Sequence, residues 1–374
     1  MKRKLGNSSQ AIVSGSVDRT ALIVASLMLF AMGLVMVFNT TAAEIIDRSL
    51  DLNTRAALYK QLLFGGLGIL VGYGLYRLGH KELIALARPL LIALVFLLLL
   101  VYLPGIGHTL NGARRWVGVG WFSFQPAECA KILLPIAYID WYLKAEKPIE
   151  WKPLVKMLAQ FSIPMVLILL QPDNGTTVIL MALLGALFFL TEIRSRYWLA
   201  PFLALALIGG AVGWQMPHVR SRIEVYLHPE TDLKGKGHQP HQALIAAGSG
   251  RLLGRGLGES LQKLNYLPEA RSDYIAAIFA EEFGFLGMLV LIILYMTITA
   301  AGFSIAFKAS SMAGFYLAAI LTFLIALQAF VNLGVVSGLL PSKGMTLPFF
   351  SQGGSSLVVN IGSLALLLDI GRRG

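Results

Sequence analysis

Apolar runs of 17 to 31 residues recur along almost the whole of this 374-residue chain, and crossing a bilayer takes about 20 such residues. Water-soluble domains carry about 25% charged residues. With 14% charged and 56% hydrophobic residues, this chain cannot be wrapped around a single water-shielded core. The runs predict ten membrane spans, at 20–39, 60–79, 87–104, 127–143, 153–170, 176–193, 197–215, 274–302, 310–340 and 349–370. The first is too long for a signal-peptide core and has no small-residue cleavage site, so it is expected to be retained. The predicted fold is all-α: a polytopic membrane protein of ten transmembrane helices, with one membrane domain over residues 1–374. A large extracytoplasmic loop, residues 216–273, separates helices seven and eight.

The net charge of +11 would suit a nucleic-acid binder by composition alone, but its distribution argues against one. Sixteen lysines and arginines fall on the flanks that lie on the N-terminal side of the membrane, and six on the short connections of the other side. This asymmetry is the positive-inside rule, in which long loops count little. It predicts cytoplasmic termini, an outward-facing 216–273 loop, and affinity for anionic lipid rather than nucleic acid. The single cysteine, Cys129, allows no internal disulfide.

The connections on the inner side are short, whereas those on the outer side are longer and hold the unusual residues. Spans four, eight and nine carry polar groups at bilayer depth: Glu128, Lys131 and Asp140; Glu281 and Glu282; Gln328 and Asn332. Such groups are costly in lipid and ordinarily face a bundle interior or wet cavity. These three spans are expected to line a polar groove, and spans two, three and six to face lipid.

Four segments could carry chemistry. In N-G-A-R-R-W-V-G-V-G-W-F-S-F-Q-P-A-E-C-A-K (111–131), a helix is expected from Pro126, with Glu128 and Lys131 sharing a face. This reads either as a re-entrant segment with a structural ion pair, or as Arg115 and Lys131 around an anionic headgroup with Glu128 orienting the lysine. In Q-P-D-N-G-T-T, Asp173 is either a cap of span six or a carboxylate at a cavity mouth. The large loop supplies Arg220, Arg222, Gln239, His241, Gln242 and a glycine-rich run, with no strand before it and no Lys-Ser/Thr after it to make a nucleotide loop. Its histidines lack zinc-like spacing. Flexible backbone against an extended ligand is the expectation.

Asp273 closes that loop. At a helix start an aspartate is often only a cap. Its position beside a wide outer loop, with Glu281 eight residues on, favours a partly dehydrated carboxylate able to act as a general base on a sugar hydroxyl. In the last segment, residues 331–357, Gly353, Gly354, Ser355 and Ser356 allow close backbone approach to a helix or a phosphate. Ser355 has no His-Asp partner at suitable spacing and is not expected to be a hydrolase nucleophile.

Together and in this order, N-G-A-R-R-W, F-Q-P-A-E-C-A-K, Q-P-D-N-G-T, the run from G-S-G-R-L-L-G-R-G to N-Y-L-P-E-A, S-D-Y-I-A-A-I-F-A-E-E-F-G and L-P-S-K-G-M-T-L-P-F-F-S-Q-G-G-S-S-L resemble the SEDS family (shape, elongation, division and sporulation proteins). The resemblance covers nearly all of 20–370, and Lys343 in P-S-K-G-M-T-L-P points to the division branch rather than the elongation branch. It implies an inverting peptidoglycan glycosyltransferase that polymerises lipid II into β-1,4-linked glycan on the outer face of the bacterial inner membrane, at the septum, releasing undecaprenyl pyrophosphate. The family's catalytic aspartate maps onto Asp273. Substrate contacts are expected from Arg115, Glu128, Lys131, Asp173, Arg222, Gln242, Lys343, Ser351, Gly353, Gly354 and Ser355. Ser272, Tyr274, Arg271, Gln352 and Ala243 depart from the residues common in the family. The resemblance leaves room for a divalent cation, Mg2+ or Mn2+, and implies no organic cofactor. Its implied partners are a class B penicillin-binding protein (a transpeptidase), other divisome proteins and membrane lipids. A lipid II flippase is the rival reading, disfavoured because polar residues cluster on one side and no matched pair of broken helices appears.

Overall fold

The structure is a computed structural model and describes residues 2–48, 55–110, 113–119, 122–199, 203, 215, 226, 237–263, 267, 270–341 and 344–373. Most of the expected seventh span and of the 216–273 loop, including Arg220 and Arg222, lies outside the described residues, as does Lys343.

In lipid every backbone N–H and C=O must be satisfied within its own segment, which is why apolar runs of this length become helices. The described helices are α1 (Lys2–Arg48), α2 (Arg55–Leu78), α3 (His80–Ala85), α4 (Ala87–Leu100), α5 (Pro126–Lys144), α6 (Trp151–Leu170), α7 (Asn174–Leu190), α8 (His238–Ser249), α9 (Ile275–Phe307), α10 (Met312–Val336) and α11 (Gly354–Arg373). Six of them are long and apolar enough to cross a membrane, and α4 and α7 are shorter apolar helices. The chain is a polytopic membrane protein. The last two spans are shorter than their hydrophobic runs suggested: α10 stops at Val336 and α11 starts at Gly354. Pro341 and Pro348 interrupt the apolar stretch between them, and residues 347–351 turn through hydrogen bonds of the Phe350 and Ser351 amides to the Leu347 carbonyl.

The expectation of a purely helical chain needs correction. Strands β1 (Gly107–Leu110), β2 (Ala113–Val119) and β3 (Phe122–Phe124) form a three-stranded antiparallel sheet just before α5. Leu110 pairs with Ala113, and Val117 with Phe124. The β-branched and aromatic residues of this stretch suit a pleated ribbon, and the intervening Asn-Gly pair is a strong hairpin signal. The segment before α5 is thus a folded β-meander.

Small residues set the tightest helix contacts. On α2, Gly68 and Gly72 lie one turn apart against Val358, Ile361 and Ala365 of α11, where a β-carbon would stand 2.7 Å from the Ile361 side chain at position 68. Without a hydrophobic drive between helices in lipid, such close backbone approach supplies the packing energy. Helices α5, α10 and α11 form the interior, with residues 127, 136, 138, 139, 317, 318, 320, 321, 366 and 367 wholly buried. Helices α2 and α4 turn Ile69, Leu70, Ile92 and Phe96 outward, as expected. Helix α7, expected to face lipid, instead buries Ile179, Leu180, Leu183, Leu184, Leu187 and Phe188 and exposes chiefly Val178 and Phe189. Its run is apolar all round, so hydropathy alone could not say which face would be covered.

Helix α9 has two halves. Residues 275–282 are all buried, whereas Phe285, Leu286, Ile293 and Met296 are exposed. Gly284, at φ 63°, divides the halves, in a conformation that only glycine adopts readily.

Candidate active site at the α9 entrance

Asp273 sits half-buried in the turn that leads into α9. The N-cap position of that helix falls on Tyr274, so Asp273 stands one residue outside the place of a capping aspartate. Three elements fix it. Asn332 of α10, 2% exposed, donates from Nδ2 to the Asp273 carbonyl (2.9 Å) and to the Met345 carbonyl (2.6 Å). The Gln352 amide donates to the Arg271 carbonyl at 3.0 Å. Gly344 lies against the carboxylate, where a β-carbon would stand 2.5 Å from Oδ2. The loop between α10 and α11 is thereby latched over the 271–273 turn, and one glycine makes room for the acid.

A second chain of bonds reaches the same loop from the sheet. Arg115 of β2 donates from Nε to the Gln171 carbonyl (2.9 Å) and from a terminal nitrogen to the Pro172 carbonyl. The next residue, Asp173, is the N-cap of α7: its Oδ1 accepts from the Thr176 amide (3.1 Å) and its Oδ2 from the Thr176 hydroxyl (2.8 Å). Oδ2 also accepts from Gln125 Nε2 at 2.8 Å, while the Gln125 amide donates to Ser355 Oγ at 2.8 Å. Ser355 therefore ties the start of α11 to the start of α5. Ser351 closes the preceding turn, accepting from the Leu347 amide at Oγ (2.8 Å) and from Gln61 Nε2 at its carbonyl (3.1 Å). Gly353 packs on Thr346 and Gly354 on the Phe64 ring.

One turn into α5, Lys131 Nζ lies 2.6 Å from Glu128 Oε1, with both side chains buried. The second carboxylate oxygen, Oε2, has no hydrogen-bond partner among the described residues, nor have Asn332 Oδ1, Gln328 Oε1 and Asn360 Oδ1 on α10 and α11. Helices α5, α10 and α11 pack on one another, so the interior they share carries unpaired acceptors. Unmet acceptors of this kind are unusual in a folded interior. A polar groove was expected from spans four, eight and nine; the unpaired acceptors instead sit on α5, α10 and α11, while Glu281 and Glu282 of α9 are paired elsewhere.

Two sets of bonds thus converge on the segment 344–355: one runs from Arg115 past Asp173 to Ser355, the other holds the Asp273 turn through Asn332 and Gln352, with Ser351, Gly353 and Gly354 between them. Gln242, half-buried on α8, makes no hydrogen bond to any of them. Sequence reasoning missed Asn332 as a clamp and Gln125 and Gly344 altogether. The signal for Asn332 was present: Gln328 and Asn332, four apart, are amides in an otherwise apolar helix.

Glu281, expected to deepen the Asp273 site, serves elsewhere. It accepts from Ser260 Oγ (2.6 Å) and the Leu261 amide (3.2 Å), with Arg255 at 3.6 Å. Glu282 pairs with Lys263 at 2.9 Å and accepts from Asn39 of α1 at 2.6 Å. Gly250 and Gly254 press against the α9 backbone at residues 280–282, and the Phe285 and Leu286 amides donate to the Arg251 and Leu252 carbonyls. The glycine-rich run is therefore anchored to α9 rather than left as flexible backbone. At the opposite end of the bundle, His80 and Asp369 pair at 2.7 Å beside Arg373, and Lys308 meets Asp18 at 2.6 Å.

A bundle of membrane helices with a half-buried aspartate latched at one end defines the class of protein. Residues 19–373 match the FtsW, RodA and SpoVE family of cell cycle proteins, and the chain belongs to that family. It is 38% identical to the "Probable peptidoglycan glycosyltransferase FtsW" of Legionella pneumophila over 84% of this chain and 81% of that protein. Among solved structures, it superposes with a TM-score of 0.74 and 28% identity on a chain of a peptidoglycan synthase complex that coordinates polymerization and crosslinking, covering 93% of this chain and 96% of the other. It superposes on the rod shape determining protein RodA of Thermus thermophilus with a TM-score of 0.68 and 26% identity, covering 94% and 95%.

Proposed function

We propose that this protein is a peptidoglycan polymerase of the division type, joining lipid II units into β-1,4-linked glycan for the septal wall. The observation that carries this reading is the placement of Asp273. Its carboxylate faces no β-carbon at position 344, and its backbone is clamped by Asn332. A general base has to be held within hydrogen-bond reach of the proton it takes.

In the proposed reaction Asp273 accepts the proton of the acceptor sugar's 4-hydroxyl as that oxygen bonds to the donor's anomeric carbon. The bond from that carbon to the pyrophosphate oxygen breaks, and undecaprenyl pyrophosphate leaves with the bonding pair. One displacement converts the α-linked donor to a β linkage, so no covalent enzyme intermediate is needed. The leaving charge calls for positioned cations. Lys131 and Arg115 supply them: Arg115 uses two of its five N–H donors on the 171 and 172 carbonyls and keeps three. Arg222 and Lys343 belong to the same proposal, with Gln242 facing the sugar.

A divalent cation would add charge on the pyrophosphate. Mg2+ is ordinarily held by one or two carboxylates plus substrate phosphates. Among the described residues no three His, Cys, Asp or Glu side chains gather, and Asp173 is committed to its cap. A cation there would be held mainly by the substrate's own phosphates.

The fuller architecture of the proposal has ten spans in one membrane domain, cytoplasmic termini and an outward-facing site. The end bearing Lys308, Arg372 and Arg373 is the cationic one, which supports that orientation in an inner membrane. A transpeptidase of the class B penicillin-binding type, within a larger division assembly, is the proposed partner. The test is glycan synthesis from lipid II by the purified protein, with and without its cognate transpeptidase. Transbilayer movement of lipid II without polymer would instead make it a flippase.

A further inference from the structure

The glycine-rich turn after α8 forms a second polar-apolar surface that the reaction above does not use. A cleft of about 860 Å³ is lined by Leu244, Ile245, Arg251, Leu252, Leu253 and Arg255 among others. Leu252 is 59% exposed, Leu253 74% and Leu257 58%. The Arg251 side chain is exposed and bonds to no described residue, and its backbone takes a left-handed φ of 49°. A non-glycine residue held there carries strain that the surrounding structure must sustain, a feature concentrated at functional sites.

Depth identifies the occupant. The 33 residues of α9 would span about 50 Å, well beyond a hydrocarbon core of about 30 Å. Counting about 20 residues back from its end at Phe307 puts the outer edge of the hydrocarbon near residue 287. The Arg251 and Leu252 carbonyls accept from the Phe285 and Leu286 amides, which brings this turn, with its exposed leucines, close to that edge, and the Arg255 amide bonds one turn further out at the Glu281 carbonyl. Glu281, which holds Arg255, lies six residues into α9, about 9 Å from its start at Ile275, and Asp273 stands in the turn two residues before that start. Two pyranose rings joined end to end reach a comparable distance.

We propose that Arg251 and Arg255 bind the pyrophosphate of the acceptor substrate, with its polyprenyl tail along Leu252 and Leu253, so that the disaccharide between presents its 4-hydroxyl at Asp273. This rests on the polymerase reading. Arginine forks suit phosphate oxygens, and an amphiphile with an anionic head matches both halves of the surface. The cleft thereby selects for the acceptor, while Arg115 and Lys131 serve the donor.

The test uses the full-length protein with its transpeptidase in phosphatidylcholine nanodiscs. Lipid II binding is read first in an Asp273→Asn background, where no turnover intervenes. Adding Arg251→Gln weakens it at least tenfold and Leu253→Ser weakens it measurably, while excess phosphatidylglycerol fails to compete. With Asp273 intact and a preformed glycan donor, Arg251→Gln raises the acceptor KM at least tenfold and leaves kcat within about twofold. Unchanged binding in both variants, or equal competition by phosphatidylglycerol, overturns the proposal. Wild-type protein that binds lipid II through Arg251 without polymerising it would refute the polymerase and leave this site standing.

Discussion

Asn332 and Asp273, 59 residues apart in sequence, are joined through the aspartate's backbone: the buried amide reaches its carbonyl at 2.9 Å and that of Met345 at 2.6 Å. One side chain thus sets the height of the turn bearing the acid and that of the loop covering it. The clamp acts on the main chain and makes no demand on the carboxylate.

Replacing Asn332 by Ala leaves two carbonyls without their donor in a buried setting, a loss of about 1–3 kcal/mol for each group left unsatisfied. The expected outcome is a fall in polymerisation kcat of at least tenfold with little change in KM for lipid II. Asn332→Gln restores part of it, and Asn332→Leu, which has no donor, does not. Steady-state kinetics on the three variants checks this.

Gly344→Ala places a methyl 2.5 Å from Asp273 Oδ2, so the loop or the carboxylate must move. Activity should be lost while thermal stability changes little. Gly74, on the exposed face of α2, is the control: a β-carbon added there would meet no atom within 4 Å. Gly74→Ala should behave as wild type in both assays.

Lys263→Met leaves Glu282 buried and without its cation. Breaking a buried pair from one side costs about 3–5 kcal/mol. The melting temperature in detergent should drop by several degrees, and the double variant Lys263→Met with Glu282→Leu should recover most of the loss. A melting temperature unchanged in the single variant would mean that the glycine-rich run is not anchored through this pair.

Arg115→Ala removes the donors that brace the 171–172 carbonyls together with the cation proposed above for the leaving phosphate. Donor use should weaken, and Arg115→Lys should recover little, because an ammonium cannot reproduce the fork. Titrating the donor at fixed acceptor distinguishes this from a loss at Arg251, which acts on the acceptor.

Six membrane-length helices were legible because hydrophobic length is a one-dimensional property: bilayer thickness sets it locally, residue by residue. Asp173 was legible as a cap because Pro-Asp-Asn-Gly is local turn chemistry. The sheet was legible in part, through Asn111-Gly112, but the strong membrane signal on both sides masked a seven-residue strand. The clamp was not legible. Nothing local to Asn332 says that Asp273 and Met345 will arrive beside it. The anchor under the glycine-rich run is less local still, since Asn39 meets Glu282 across 243 residues. Glu281, placed by sequence near the chemistry because it shares a helix with Asp273, turns to a different neighbour.

The most direct test replaces a single oxygen of Asp273 with nitrogen. Asp273→Asn, purified with its transpeptidase and shown to be folded, should give no glycan polymer from lipid II while still binding the substrate. Polymer at the wild-type yield from that variant would contradict the account, because no other group is assigned to take the acceptor's proton.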